Sequence, residues 1–133
     1  MNKVITAQVA IVGGGLAGLS AAVYLGRAQR DVMVIGDGKS MARWEPDVQN
    51  YLGFPRGIDG EELVRRGRRQ ARRYGAKFHR DHIESAKKES SGCFRLQGKR
   101  AVYECKRLLL STGIFHLPPD LPGVKAWQKF LQI

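Results

Sequence analysis

Apolar residues along this chain come in short runs that are separated by glycine-rich turns. Residues 4–12 form a run rich in β-branched side chains, which predicts a buried strand. Apolar positions then recur at helical spacing from residue 16 to about residue 27, and residues 31–35 form a second strand-like run. Strand, helix and parallel strand make one βαβ unit, so we predict an α/β fold with a Rossmann-type parallel sheet.

Further elements are predicted downstream of this unit. Asp59 is placed to cap a helix that follows an ordered, glycine- and proline-rich loop. The predicted segments are a helix from about 60 to 74, a strand at 76–78, a hairpin at 93–97 and 101–105, and a last buried strand at 108–110. The predicted domain therefore has helices on both faces of the parallel sheet and a small antiparallel hairpin or meander.

Prolines mark the end of this domain. Pro118, Pro119 and Pro122 indicate that the chain leaves it, which divides the sequence into a domain over residues 1–117 and an exit segment over residues 118–133. The N-terminus is too polar for a signal peptide, and no apolar run reaches the ~18 residues of a membrane span. We therefore expect a cytoplasmic protein with no membrane partner.

Three glycines, Gly13, Gly15 and Gly18, form the motif G-x-G-x-x-G where the first strand meets the first helix. In that context the motif is typical of dinucleotide binding. The first glycine permits the tight turn, the second lets a pyrophosphate approach the backbone N–H groups, and the third lets helix and strand pack closely. The helix dipole then favours the phosphates. The remaining members of this predicted phosphate turn are Gly14, Leu16 and Ala17.

The end of the second strand departs from the usual dinucleotide pattern. An acidic residue commonly stands there and hydrogen-bonds the adenosine ribose. Gly36 holds the expected position in this chain, and Asp37 follows one place late. Because side chains alternate faces along a strand, this shift can aim Asp37 away from the ribose. Two alternatives stay open: Asp37 reaches the ribose through the turn, or the backbone and Ser40 hold it.

The chain is strongly basic, with 23 lysines and arginines against 12 acidic residues and a formal net charge of +11. Apolar positions of the second predicted helix fall on one face, which leaves its arginines on the others. We interpret them as a solvated basic face, with weak, non-specific polyanion binding as the alternative. These arginines are Arg65, Arg66, Arg68, Arg69, Arg72 and Arg73.

Cysteines and histidines indicate neither a metal site nor a catalytic centre. Cys93 and Cys105 stand twelve positions apart, which matches no zinc or redox spacing, so we interpret both as buried structural thiols. His79, His82 and His116 have no carboxylate or cysteine partners at ligand spacing. We assign no catalytic residue and no metal.

Several stretches of the sequence, beyond the glycine motif itself, match those of a known protein family. Residues 13–22, 49–55, 57–60 and 110–113 stand in the order and spacing of the N-terminal, flavin-binding part of the thioredoxin reductase family, and the resemblance extends over nearly the whole chain. Residues 39–44 look most like bacterial thioredoxin-reductase-like flavoproteins. The resemblance implies FAD as cofactor, with Asn50 near the flavin and Thr112 and Gly113 closing over it. With the motif, it gives these expected FAD-binding residues: Gly13, Gly14, Gly15, Leu16, Ala17, Gly18, Gly36, Asp37, Lys39, Ser40, Arg43, Asn50, Thr112 and Gly113.

The chain also departs from the usual residues of this family at several positions. Gly36 replaces the usual acid, Leu52 a common proline and Ser111 a common alanine. Family members continue into an NADPH-binding domain that carries a redox-active C-x-x-C, so NADPH is expected only in full-length relatives. We expect a truncated form, inactive by itself in disulfide reduction, and a homodimer as in the family. The alternatives are a non-catalytic nucleotide- or polyanion-binding module and a plain NAD(P)-binding Rossmann domain.

Overall fold

A computed structural model describes residues 3–114 of the chain. The exit segment over 118–133, the 117/118 boundary and His116 lie outside these described residues. The elements, in chain order, are β1 (Val4–Val12), α1 (Leu16–Arg27), β2 (Val32–Ile35), a 3₁₀ helix (Met41–Trp44), α2 (Gly60–Arg73), β3 (Lys77–His79), β4 (Ile83–Lys88), β5 (Phe94–Gly98) and β6 (Val102–Leu110).

The strands form one mixed sheet in the order β3-β2-β1-β6-β5-β4. Parallel pairing joins β3, β2, β1 and β6, whereas β5 runs antiparallel to both β6 and β4. Val12 pairs with Ile35 on one side and with Leu110 on the other, so three parallel strands end at the same edge. The predicted α/β fold of the Rossmann type is confirmed. Ligands of such sheets bind outside the carboxyl ends of the strands, and this edge positions the candidate site.

Both α-helices pack on one face of the parallel strands. Leu63 and Ala71 on α2 are buried, and a Cβ on Gly67 would lie 3.2 Å from Leu19 Cδ1 on α1. The apolar face predicted for α2 is therefore the one that it buries. The expectation of helices on both faces is wrong for the described residues, because both helices contribute to a single cluster formed by Val9, Ile11, Ala22, Val32, Val34, Ala71 and Ala76.

The antiparallel half of the sheet covers the opposite face. The rings of His79 on β3 and Tyr103 on β6 are 5.6 Å apart between centroids, although β2 and β1 separate those strands in the sheet. The sheet therefore curls back on itself. This second core contains Ala10, Met33, Ile35, Leu96, Ala101, Tyr103 and Cys105.

Two strand predictions need correction. The strands predicted at 101–105 and 108–110 are one continuous strand, β6, because β1 pairs with it along nearly its whole length, while β5 pairs only with residues 102–105. Strand β4 was not predicted, because only Ile83 in it is even half-buried and its polar residues show no alternation. An edge strand of this kind carries a weak hydrophobic signal.

The two cysteines occupy different environments. Cys105 is buried and Cys93 is half-buried, and both are free thiols. Burial raises the pKa of the Cys105 thiol, which makes it a poor nucleophile. Phe94 pairs with Cys105, so the pleat turns the side chain of the preceding Cys93 toward the other face of the hairpin. This arrangement favours structural thiols, but the prediction that both are buried is wrong for Cys93, which is half-buried.

Within residues 3–114, neither helix combines the length and the apolar character that crossing a membrane requires.

Candidate nucleotide-binding site

The glycine turn contains two positions where a side chain has no room. Gly13 has a φ of +110°, and a Cβ there would lie 2.0 Å from the Ser111 carbonyl oxygen. A Cβ on Gly18 would lie 2.0 Å from the Gly13 carbonyl oxygen. The Ser111 hydroxyl donates to that same Gly13 oxygen over 2.9 Å. Gly13 and Gly18 thus serve the packing of strand, turn and helix, and Ser111 fastens the end of β6 to the turn.

The middle of the turn is open. A Cβ on Gly15, whose φ of −79° is ordinary, would come no closer than 3.4 Å to another residue, at Ser40 Oγ. A Cβ on Gly14 would meet only Val34 Cγ1, at 3.7 Å. Helix α1 begins at Leu16 with no side-chain cap and no acidic residue in its first turn. Its first N–H groups have no partner inside the helix, which is the arrangement that accepts phosphate at a helix N-terminus.

The loop after β2 closes against this turn. A Cβ on Gly36 would lie 3.2 Å from the backbone nitrogen of Gly14, so the strand end approaches the turn too closely for a comfortable acidic side chain. The Asp37 carboxylate accepts a hydrogen bond from the Lys39 N–H at 3.0 Å. The carboxylate therefore satisfies a backbone donor within its own loop. Of the two alternatives for the ribose, this contact favours the backbone and Ser40 over Asp37.

A cleft opens at the carboxyl edge of β2 and β3. The glycine turn, β2 with the loop after it, the 3₁₀ helix, α2 and β3 all contribute lining residues. Its lining residues are Gly14, Val34, Gly36, Gly38, Arg43, Val64, Arg68, Phe78 and His79. Three of them, Gly14, Gly36 and Arg43, are among the expected FAD-binding residues.

Three nitrogen atoms in this cleft are buried without a hydrogen-bond partner among the described residues: Arg43 Nε, Arg68 Nε and His79 Nε2. Arg43 is held through its Nη1, which lies 3.0 Å from Glu61 Oε1. Burial, with help from Arg72 and Arg43, lowers the pKa of the Arg68 guanidinium. Burial and the nearby Lys3 and Lys77 lower the pKa of His79. The cleft is thus a basic pocket whose buried Arg43, Arg68 and His79 nitrogen atoms are available for hydrogen bonds to a ligand.

Sequence reasoning missed Arg68 and His79 as site residues. Arg68 was grouped with the solvated arginines, although it stands one turn after the buried Val64 and so borders the apolar stripe of α2. His79 ends β3 at the carboxyl edge of the sheet. The rule that ligands bind at this edge would have singled it out.

Asp81 lies beside this cleft, because its N–H donates to the carbonyl oxygen of the lining residue Gly36 over 3.3 Å. Its carboxylate, 4% exposed, accepts hydrogen bonds from the N–H groups of His82, Arg100 and Ala101 and from the Tyr103 hydroxyl, over 2.8 to 3.2 Å. Burial raises the pKa of Asp81, but these four donors outweigh it and hold the pKa below its ordinary value. Burial of the Tyr103 hydroxyl and its hydrogen bond to Asp81 raise the pKa of Tyr103 to about 12.

The arginines of α2 do not form one patch. Arg65 and Arg66 both pair with Glu62. Arg68 and Arg72 lie over the Phe78 ring, with 4.6 and 5.4 Å from guanidinium carbon to ring centroid. The remaining two arginines of the six, Arg69 and Arg73, are exposed to solvent. This arrangement favours the solvated basic face over a polyanion-binding surface.

We therefore expect only weak, salt-sensitive binding to mixed-sequence duplex DNA, with a Kd no tighter than ~10⁻⁶ M near physiological salt. Fluorescence anisotropy across a salt series measures it. Binding that stays tight at that salt and is lost when the exposed Arg69 and Arg73 are both replaced by alanine would contradict this expectation and favour a polyanion-binding module.

The remaining expected site residues lie on two loops. Thr112 and Gly113 follow Ser111, so they leave the sheet beside the glycine turn, and both are exposed. Asn50 is exposed on the loop that a bridge between Val48 and Ile58 closes. Contact of all three with a flavin stays a prediction.

Comparison with known proteins places the chain in a family. The family model for pyridine nucleotide-disulphide oxidoreductases matches residues 7–133. Thioredoxin reductase of Coxiella burnetii is 34% identical over 96% of this chain and 40% of its own length. That of Vibrio cholerae is 36% identical over 85% of this chain and 36% of its own length.

Solved structures agree. The atypical thioredoxin reductase of Desulfovibrio vulgaris Hildenborough superposes with a TM-score of 0.78 at 34% identity, over 92% of this chain and 41% of that one. The chain thus spans about two-fifths of the proteins that it matches. It belongs to the pyridine nucleotide-disulphide oxidoreductase family, and its resemblance to the N-terminal, flavin-binding part of the thioredoxin reductases is confirmed.

Proposed function

We propose that this chain binds FAD and forms the FAD-binding part of a thioredoxin-reductase-like oxidoreductase. The observation that carries the proposal is the uncapped N-terminus of α1 behind a turn that is open at Gly14 and Gly15. Both sit at the carboxyl edge of the parallel strands, where dinucleotides bind in this fold. Membership of a family whose thioredoxin reductases are flavoproteins supports FAD over other dinucleotides.

Residues of the described chain fit two parts of such a cofactor, its pyrophosphate and its adenosine. The N–H groups at Gly15, Leu16 and Ala17 would hold the pyrophosphate, because the turn is open at Gly14 and Gly15 and no side chain caps the start of α1. The cleft between Gly36 and the 3₁₀ helix would hold the adenosine. When bound, FAD supplies hydride and electron transfer. The protein's part at this end of the cofactor is binding and orientation.

Other expectations stay predictions. The 133 residues contain no C-x-x-C, so for NADPH-dependent disulfide reduction we assign this chain only the flavin-binding step. The homodimer expected from the resemblance and the cytoplasmic location expected from the sequence likewise stay predictions. Pairing of Arg65 and Arg66 with Glu62 makes a polyanion-binding module the weaker candidate.

Replacing Gly15 by valine tests the proposal. Position 15 has extended backbone that valine adopts, and the nearest atom to its Cβ would be Ser40 Oγ at 3.4 Å. The fold should therefore tolerate the change, while the branched side chain occupies the phosphate position. We expect the FAD affinity to fall more than tenfold, or ~1.4 kcal/mol. Quenching of FAD fluorescence on titration with protein measures the Kd.

A matched variant, Ser20→Val, adds the same side chain to an exposed position of α1 away from the turn. It should bind FAD like the parent chain, and circular dichroism should show all three proteins folded. Unchanged FAD affinity in Gly15→Val would place the cofactor elsewhere, and a parent chain that binds no FAD would overturn the proposed function.

A further inference from the structure

The pyrophosphate of FAD carries more negative charge than the glycine turn can neutralise. At neutral pH the ionised groups of FAD are its two phosphates. The N-terminus of α1 supplies the equivalent of only about half a positive charge, and the first turn of this helix, which begins at Leu16, contains no basic side chain. Further positive charge near the turn would therefore strengthen the binding of FAD.

Two arginines line the cleft into which the glycine turn opens. Gly14 of the turn, Arg43 and Arg68 all contribute to the lining, and no acidic residue does. Each arginine buries an Nε–H that has no partner within residues 3–114. A buried donor without an acceptor is costly, so an anion bound at this cleft would stabilise both.

Arg43 starts close to the glycine turn. Its N–H donates to the Ser40 carbonyl oxygen over 3.0 Å, and Ser40 Oγ lies 3.4 Å from the place of a Cβ on Gly15. Glu61 orients the guanidinium group, with 3.0 Å between its Oε1 and Arg43 Nη1. Because Glu61 compensates part of the charge, Arg43 offers the cleft a hydrogen-bond donor more than a full positive charge.

Arg68 supplies the uncompensated charge. It follows Gly67, at which a Cβ would lie 3.2 Å from Leu19 Cδ1 in the first turn of α1. The Phe78 ring braces its guanidinium carbon, 4.6 Å from the ring centroid. No carboxylate within residues 3–114 forms an ion pair with Arg68. Its planar guanidinium group matches phosphate oxygens in geometry.

We propose that Arg68, assisted by Arg43, binds the pyrophosphate of FAD together with the N-terminus of α1. FAD offers no other anion, so the charge of these arginines assigns them to its phosphates, and the rest of the cleft is left for the uncharged adenosine. Two side-chain cations thus join a phosphate site that the sequence motif places on backbone N–H groups alone. This role rests on the proposed function, because it assumes that FAD occupies the turn.

Titration of FAD into the whole chain at several salt concentrations tests this role. We expect Arg68→Gln to weaken FAD binding at least about tenfold at low salt. The loss should shrink as salt rises, because salt anions compete with the phosphates for the parent arginine and screen its charge. Arg69→Gln removes the same charge from the next position of α2, where the side chain is exposed, and should change the Kd less than about twofold.

A second ligand locates the contact within FAD. ADP-ribose carries the same adenosine and pyrophosphate but no flavin, so Arg68→Gln should weaken its binding by a similar factor. A loss confined to FAD would place Arg68 at the flavin, and a loss that is independent of salt would place it at the adenosine; either result would overturn the proposed role. Arg43→Gln provides a parallel test, with a smaller loss of the same salt dependence, should circular dichroism show that Arg68→Gln fails to fold.

The outcomes separate this role from the proposed function. FAD affinity that falls in Gly15→Val but is unchanged in Arg68→Gln would keep the cofactor on the turn and overturn the arginine contact. Equal losses in Arg68→Gln and Arg69→Gln would mean that the charge of α2 acts only at long range, which would also overturn it. A parent chain that binds no FAD would overturn both.

Discussion

Replacing Asp81 by alanine is expected to lower the free energy of unfolding by roughly 3–5 kcal/mol, because the change removes a buried charge from its hydrogen-bond donors. Three backbone N–H groups and the Tyr103 hydroxyl would lose their acceptor. The carboxylate also fills the space that a side chain on Gly98 would need, with Oδ2 only 2.4 Å from a Cβ there. Urea unfolding followed by circular dichroism measures the loss.

A control removes the same charge from a neighbouring position. Glu84 is exposed on β4, so Glu84→Ala should change the free energy of unfolding by no more than about 0.5 kcal/mol. Similar effects of the two substitutions would contradict the role assigned to Asp81.

The pH dependence gives a second readout of the same group. Because the pKa of Asp81 is lowered in the folded protein, its ionised form stabilises the fold at pH values above the ordinary value of 3.8. That stabilisation is lost as the pH falls from there through the folded-state pKa. The stability gap between the parent chain and Asp81→Asn should therefore be widest near neutral pH and narrow in acid. A gap that is constant from pH 7 to pH 3 would argue against an ionised Asp81.

Nothing local in the sequence reveals this carboxylate. Asp81 lies between two short strands in the run His79-Arg-Asp-His82, which has the composition of a solvated turn. Of its four donors only the His82 N–H is local, and the other three come from residues 100, 101 and 103, about twenty positions away. They reach it only because the sheet curls until β6 meets β3, and periodicity carries no information about such curling.

Elements with strong local signals were predicted well. The glycine turn, α1 and the capped α2 were correct to within a residue or so, because each has a glycine or an N-cap at its boundary. Asp59 does accept the predicted capping hydrogen bond, from the Glu62 N–H at 2.9 Å. The long strand β6 was divided in two, since its polar centre at Lys106 and Arg107 interrupts the apolar pattern.

The candidate site also contains some residues that local sequence identifies and others that only the folded chain brings together. Motif spacing identifies Gly13, Gly15 and Gly18, whose roles depend on neighbours in sequence. The basic cleft depends on Arg68 turning inward over Phe78, two residues that the chain brings together only through the packing of α2 on the sheet. Six arginines within nine positions give no sign of which one lines the cleft.

Replacing Gly13 by alanine is expected to destabilise the fold by at least ~3 kcal/mol, whereas Gly15→Ala should change the stability by less than ~1 kcal/mol in either direction. Position 13 has a φ of +110°, where any side chain is strained, and its Cβ would lie 2.0 Å from a backbone oxygen of Ser111. Position 15 has an ordinary φ of −79° and free space around it, so alanine mainly restricts the unfolded chain there. Thermal and urea unfolding of the two variants measures the difference.

A third variant locates the cause. In the double variant Gly13→Ala/Ser111→Ala the Ser111 hydroxyl, 3.1 Å from the added Cβ, is gone, yet the backbone oxygen at 2.0 Å remains. The loss of stability should therefore persist. Full rescue by Ser111→Ala would mean that the side chain, and not the backbone of β6, closes the turn. Equal stability of Gly13→Ala and Gly15→Ala would mean that the turn is free to shift away from β6, and the phosphate site would then lack the fixed backbone on which its affinity depends.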